Sequence, residues 1–277
     1  MNGLMIGLLA ETSIHAGSGQ TAGVVDLPVA REAVTDYPVI VGSSLKGALR
    51  DKAEQQKMES KDEVFGMPDF AGAVAVTDGR LLLLPVRSLT GHFRWVTCPY
   101  ILRRWQRDIQ MMGSSSRFFI PDPQDDEAYV AIEEESLFLE EFSFRAIQKK
   151  SEIQAIASEL GKLIQHESVR DNLVQSLTIV HDDMFRYFAK YGLSVQARNQ
   201  LDAETKESKN LWYEETLPPD TLLYTLILPR LNEKEQLARI KKMFAHDLYV
   251  RVGGNETIGQ GWCITSIMEG GSEHEVE

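Results

Sequence analysis

The sequence predicts an α+β fold: a ferredoxin-like core interrupted by a large middle insertion. Two observations predict it. Apolar runs of strand length and apolar residues at three- and four-residue spacing both occur. At the two ends of the chain they follow one another as strand, helix, strands, then strand, helix, strand. The 277 residues, 43% hydrophobic and 25% charged, are ample for a large core and rule out wholesale disorder. No internal repeat at solenoid periods is present.

The elements follow in order. Residues 4–11 form an apolar run short enough for a buried strand. Gly42, Ser43 and Ser44 open a segment with Leu45, Ala48, Leu49 and Ala53 on one helical face, and the serines are good caps. Residues 73–86 read as two strands joined by the hairpin dipeptide Asp78-Gly79. Ile153, Ile156, Ala157, Leu160, Leu163 and Ile164 repeat at helical spacing. After Pro218-Pro219, a strand over 222–228 ends at Pro229. Leu237, Ile240, Met243 and Phe244 mark a helix, and 262–268 is a closing strand. The expected organisation is one domain over 1–270 with a tail at 271–277. Its core lies at about 1–86 and 220–268, and its insertion at about 87–195.

Charge narrows the function. With 29 Lys and Arg against 41 Asp and Glu, the net charge is -12, which argues against non-specific attraction of the whole molecule to nucleic acid. The charge is uneven. Residues 122–141 hold nine acidic residues and no Lys or Arg, which reads as a solvated loop or a patch for a basic partner. Residues 80–117 hold seven arginines against the single Asp108, interleaved with Phe93, Trp95, Tyr100 and Trp105. That composition suits either RNA or an ordinary helix with solvated bases. Two cysteines, Cys98 and Cys263, cannot build a disulfide framework or a zinc site, so a reducing, cytoplasmic setting is expected. Neither a signal peptide nor a membrane span is expected.

Three stretches could carry chemistry. Residues 12–38 form a long, glycine-containing connection with His15, Asp26 and Arg31 in it, and long connections in compact domains tend to be functional. Apolar neighbours on both sides of Asp26 would anchor the loop while the carboxylate stays exposed, although a lone Asp is also a common turn former. In the second, GSSLKGALR over 42–50, Ser43 and Ser44 stand at a helix N-terminus. Lys46 and Arg50 lie four residues apart, an arrangement suited to a phosphodiester or simply to a capped helix with two solvated bases. The third, VGGNETIGQGW over 252–262, has Gly253, Gly254, Gly259 and Gly261 within nine residues, with Asn255 among them. Such loops permit close backbone approach and positive φ, as phosphate cradles require, and purely structural turns use them too.

Taken together, these stretches resemble the RAMP superfamily, and within it the repeated backbone subunits of type III-B CRISPR effector (Cmr) complexes. The resemblance rests on HAGSG from His15, VDLP around Asp26 with Arg31-Glu32, the 42–50 block and the glycine loop 253–261. TKESKNLWYEE over 205–215, followed by Leu217-Pro218, resembles that family's hairpin thumb, placed at about 196–218. The family resemblance implies copies stacked head-to-tail along a CRISPR guide RNA together with the other Cmr subunits. It also implies target RNA cut beside nucleotides displaced by the thumbs. Guide contacts are then expected from His15, Arg31, Ser43, Ser44, Lys46, Arg50, Gly253, Gly254, Asn255, Gly259 and Gly261. Leu211, Trp212 and Tyr213 would wedge against bases. Asp26 is the expected catalytic residue, holding Mg²⁺ or another divalent cation or orienting the attacking 2′-hydroxyl, with His15 and Glu214 as helpers and Glu215 weighed beside Glu214. The competing readings are a non-catalytic guide-RNA scaffold and, further off, a small-molecule phosphotransferase, which lacks a Walker motif.

Overall fold

The computed structural model describes residues 3–20, 23–114, 116–230 and 234–271. Its first strand, β1 (Leu4–Ala10), is apolar at nearly every position because it has a neighbouring strand on each side and is buried on both faces. After the long loop come β2 (Val39–Ile40), α1 (Gly42–Gln55), α2 (Lys61–Phe65), the short pair β3 (Gly66–Met67) and β4 (Phe70–Ala71), β5 (Val74–Val76) and β6 (Gly79–Arg87). The middle of the chain supplies β7 (Phe93–Thr97), α3 (Pro99–Met111), β8 (Glu127–Val130), β9 (Ser136–Leu139), β10 (Phe142–Gln148), α4 (Lys150–Gly161), α5 (Glu167–Ser176), β11 (Leu177–Val180) and α6 (Asp182–Tyr191). A hairpin, β12 (Ser194–Leu201) and β13 (Ser208–Thr216), precedes β14 (Leu222–Pro229), α7 (Lys234–Met243), β15 (Tyr249–Arg251) and β16 (Trp262–Glu269).

The two chain ends meet in one sheet. β1 pairs antiparallel with β16 on one side and with β14 on the other, and β14 continues to β6. Strand, helix, strand, strand, helix, strand therefore runs as β1, α1, β6, β14, α7, β16, the order read from periodicity. The middle segment does not form a separate body. Leu84 to Arg87 pair with β7, and through it the sheet runs on as β11, β8, β10 and β9, giving 12 strands among the described residues.

Two expectations are corrected. Asp78-Gly79 is not a hairpin turn, because β5 and β6 lie end to end along the same edge of β14. Asp78 Oδ1 instead accepts the Gly42 amide at 2.7 Å, capping α1 from another segment. The acidic run is not a solvated loop either. It contains β8 and β9, and its carboxylates neutralise the arginine-rich stretch: Glu134 pairs with the buried Arg94, and Glu140 with Arg87 at 2.7 Å. Arg104 is taken by Glu32 at 2.7 Å, and Arg80 by Asp108 at 2.5 Å, where the Tyr224 hydroxyl also donates at 2.7 Å. Arg80, Arg94 and Arg104 are held inside the fold by these pairs, so the RNA surface considered for 80–117 is not built from them. Of the expected tail, 272–277 lie outside the described residues. No helix among the described residues is long and apolar enough to cross a membrane.

Burial pushes the thiols of Cys98 and Cys263 and the phenols of Tyr37 and Tyr224 well above their ordinary values. In the unfolded chain these groups ionise from about pH 8.5 (thiols) and about pH 10 (phenols), while the folded state keeps them protonated. The contribution of these groups is therefore complete below about pH 8.5 and is lost as pH rises, with a slope of up to about 1.4 kcal/mol per pH unit for each group. Urea denaturation from neutral to alkaline pH is expected to show this fall, and Cys263→Ala to remove one thiol's share of it. A flat stability profile up to about pH 10 would contradict the burial argument.

Candidate nucleic-acid interface

Three segments far apart in sequence converge at the base of the hairpin. Around Leu27, loop 12–31 runs alongside β13: Leu27 N–H donates to Tyr213 O and Glu215 N–H to Leu27 O, both at 3.0 Å. The same loop crosses the glycine-rich connection between β15 and β16, where Gly254 N–H donates to His15 O at 2.9 Å. At Gly253, φ is +83°, and a Cβ would stand 2.4 Å from His15 O. Only glycine permits both the left-handed backbone and this approach.

Glu215 ties the joint together. The residue is 7% exposed. Oε2 accepts the Val29 amide at 3.0 Å, and Oε1 accepts from Arg31 at 2.8 Å. Arg31 also donates to the carbonyls of Asp36 and Ala189, at 2.9 and 2.8 Å. It is therefore engaged inside the protein, not offered to RNA phosphate as expected. His15 is buried as well. Its Nδ1 bonds Glu215 O at 2.9 Å, and since a carbonyl can only accept, Nδ1 carries the proton. Gly17 leaves room for the ring, because a Cβ there would lie 2.6 Å from Nε2. His15 thus locks hairpin base to glycine loop, and its ring does not line the groove described below.

Asp26 takes a different position. One carboxylate oxygen, Oδ2, accepts the Tyr213 amide at 2.8 Å, and the side chain remains part-exposed. Glu214, the next residue, points the other way, as strand alternation demands. It is 2% exposed and held by Asn255 and, at 3.5 Å, by Arg198. A carboxylate so enclosed positions its neighbours and does not meet substrate, which corrects the expectation of Glu214 as a catalytic helper. Asn255, left-handed at φ 65°, faces inward to Glu214 and Gln260 (2.9 Å), so its side chain is not offered to RNA either. Among the described residues, no group of three or more His, Cys, Asp or Glu side chains is arranged to hold a metal ion. Asp26 therefore has no protein-built cation site around it.

Beside this joint lies an open groove of about 380 Å³. Its walls are Ala16 and Gly17, the Ser44, Gly47 and Asp51 face of α1, and the glycine loop with Gly253, Gly254 and Glu256. The small residues at 44, 47 and 48 suit the close approach of a backbone. Lys46 and Arg50 do not line it. Arg50 turns away to Asp62, at 2.5 Å, and to the Gly66 carbonyl. The first amide of α1 is taken by Asp78, and Ser43 and Ser44 are exposed without capping their helix. Gly259 and Gly261 sit at positive φ, 80° and 85°, and shape the return of the loop to β16. Glu215, weighed from the sequence only as a catalytic helper, is a buried tie instead, and the sequence reading passed over Arg251, which lines the groove from β15.

The hairpin itself stands off the sheet as a separate two-stranded unit. It spans residues 194–216, close to the expected thumb. Leu211 and Tyr213 are 55% and 44% exposed on one face, with Val195 on the same side. Trp212 lies on the opposite face, across from Arg198, so the three residues do not form a single wedge.

Residues 8–264 match the RAMP superfamily. The CRISPR system Cmr endoribonuclease Cmr4 of Pyrococcus furiosus is 35% identical over 292 aligned positions, covering 97% of each chain. The crystal structure of oligomeric Cmr4 from Pyrococcus furiosus superposes with a TM-score of 0.79 at 29% identity, over 97% of this chain and 98% of that one. A chain of the type III-B Cmr-beta complex bound to cognate target RNA shares the fold, with a TM-score of 0.76 at 21% identity over 96% and 97% of the two chains.

Glu215→Ala removes the partner of Arg31 and the acceptor of Val29 together. It is expected to cost about 3 kcal/mol and to speed hydrogen exchange at the Val29 amide while β1 stays protected. Glu215→Gln, which keeps an acceptor, is expected to cost less. Equal stability of wild type and the Ala variant would show that the joint is held elsewhere.

Proposed function

The chain belongs to the RAMP superfamily, and from that membership we propose that it is a backbone subunit of a type III-B CRISPR effector that holds guide RNA, stacks with copies of itself and cleaves target RNA. The identity to a Cmr endoribonuclease over nearly the whole of both chains supports the activity, and the oligomeric relative supports self-association. Other Cmr subunits are the remaining partners.

The observation that carries the catalytic reading is the seating of Asp26. Its carboxylate is pinned at the foot of a protruding hairpin by Tyr213 N–H, with Oδ1 left for substrate. A carboxylate facing two RNA strands is electrostatically costly unless it has a proton or a cation to engage. When a 2′-oxygen attacks the adjacent phosphorus, the P–O2′ bond forms as the P–O5′ bond breaks, the 2′-hydroxyl proton passes to solvent water and the departing 5′-oxygen takes a proton from water. Asp26 Oδ1 accepts the 2′-O–H hydrogen bond and orients that oxygen. His15 and Glu215 act behind it by fixing the loop against the hairpin. Among the described residues, the chain's own donors do not complete a cation site. Mg²⁺ or another divalent ion belongs there only as an ion shared with RNA oxygens, which supply hard ligands.

Asp26→Asn keeps size and the Tyr213 contact but removes the basic oxygen. In the assembled complex it is expected to leave target binding near normal and to slow cleavage by roughly 10²–10⁴-fold. Cleavage at the wild-type rate on a labelled target would assign catalysis to another residue and favour a scaffold role for this chain.

The hairpin sets spacing. A tight turn replacing residues 199–211 keeps Tyr213 to Thr216, and with them the Asp26 anchor, intact. Such a variant is expected to fold and bind guide RNA but to lose the regular ladder of target cuts. An unchanged ladder would show that the spacing arises outside the hairpin.

A further inference from the structure

The groove presents a charge problem. Two carboxylates, Asp51 and Glu256, line it, and Arg251 is the sole cation among its described lining residues. A polyanion gains little from that balance as it stands. Arg251 is nevertheless well prepared for an anion. Its guanidinium lies over the Trp262 ring at 5.2 Å, which fixes the plane of the fork. It is ion-paired to Glu256, and Asp51 stands 3.9 Å away. Glu256 opens a short 3₁₀ turn (Glu256–Ile258) bounded by left-handed Asn255 and Gly259, and its side chain is 54% exposed.

We propose that Arg251 is a phosphate ligand of the RNA groove, and that Glu256 is the anion it holds until an RNA phosphate takes its place. The inference rests on the reading that this groove carries RNA. Carboxylate and phosphate present the guanidinium with the same pair of oxygens, so one replaces the other on a fork already in position. The exchange is cheap because the Arg251–Glu256 pair is partly exposed, and such pairs are weak and screened by salt. Trp262 keeps the guanidinium aimed while its partner changes. The released Glu256 turns to solvent on the rim of the groove. On this account the loop's carboxylate keeps the site from binding anions indiscriminately, and a phosphate wins only when neighbouring contacts along a strand add to it.

A double-mutant cycle tests the idea, with the purified chain and a labelled single-stranded RNA titrated at several salt concentrations. Glu256→Gln is expected to tighten binding roughly two- to fivefold at low salt and to steepen its salt dependence, because Arg251 is then freed for phosphate. Arg251→Gln is expected to weaken binding, and in that background Glu256→Gln brings little further gain. A gain of equal size with and without Arg251 would reduce Glu256 to general repulsion and overturn the exchange. Insensitivity of a tightly binding wild type to both substitutions would overturn it too, while leaving RNA binding standing. Absence of RNA binding by the wild-type chain at any salt concentration would overturn the reading of the groove itself, and this proposal with it.

Discussion

A carboxylate withdrawn from water must be met by donors, and at Glu215 that requirement organises the whole functional end of the molecule. Val29 N–H and Arg31 satisfy its two oxygens, and its own carbonyl receives His15. Around Leu27, loop 12–31 is thereby laid along β13, which brings the amide of Tyr213 to Asp26. Arg31 extends the tie to the end of α6 through the Ala189 carbonyl. One buried anion thus connects the loop, the hairpin and the middle segment of the chain. Asp26 keeps a part-exposed carboxylate while Val29 and Arg31, further along the same loop, are held by the buried anion.

The division of labour among acidic residues follows from the same physics. Asp26, Glu214 and Glu215 lie within one small region, yet they face different surroundings. Glu214 is enclosed by Asn255 and Arg198, Glu215 by Arg31 and Val29, and only Asp26 keeps an open side. A buried carboxylate with full hydrogen bonding specifies geometry, whereas a part-exposed one is open to chemistry. Many of the other charges are paired with one another within the protein. Arg80, Arg87, Arg94 and Arg104 each hold a carboxylate, so composition alone misstates what the surface offers to RNA.

The continuous sheet gives these contacts something rigid to act against. β1 is an interior strand, hydrogen-bonded to β14 and β16, and the loop bearing His15 and Asp26 leaves directly from its end. The glycine loop enters β16 on one side of β1, and the hairpin leads into β14 on the other. The three functional segments are therefore sequence-remote but emerge at neighbouring strand ends, as active loops on open sheets commonly do. The hairpin, by contrast, owes nothing to the sheet beyond its base, and its apolar side chains stay exposed.

Much of this was legible from the sequence alone. The hairpin was expected only from the family resemblance, whereas the buried first strand, the helical faces of α1, α4 and α7, the order of elements at the two ends and the special character of loop 12–38 and the glycine loop all follow from periodicity and local chemistry. These are properties of residues close together in the chain. What the sequence did not determine is which charges find one another. Arg31 and Arg50 read as RNA ligands because a cation in a loop or on a helix looks free until its partner, 184 and 12 residues away, is known. Asp78-Gly79 read as a hairpin turn, though its carboxylate serves a helix 36 residues earlier. Glu214 and Glu215 are chemically identical neighbours, and only strand alternation and the packing around each decide their separate partners. Pairing of buried charges is a three-dimensional matter, since desolvation depends on everything that surrounds a group and not on what precedes it in the chain.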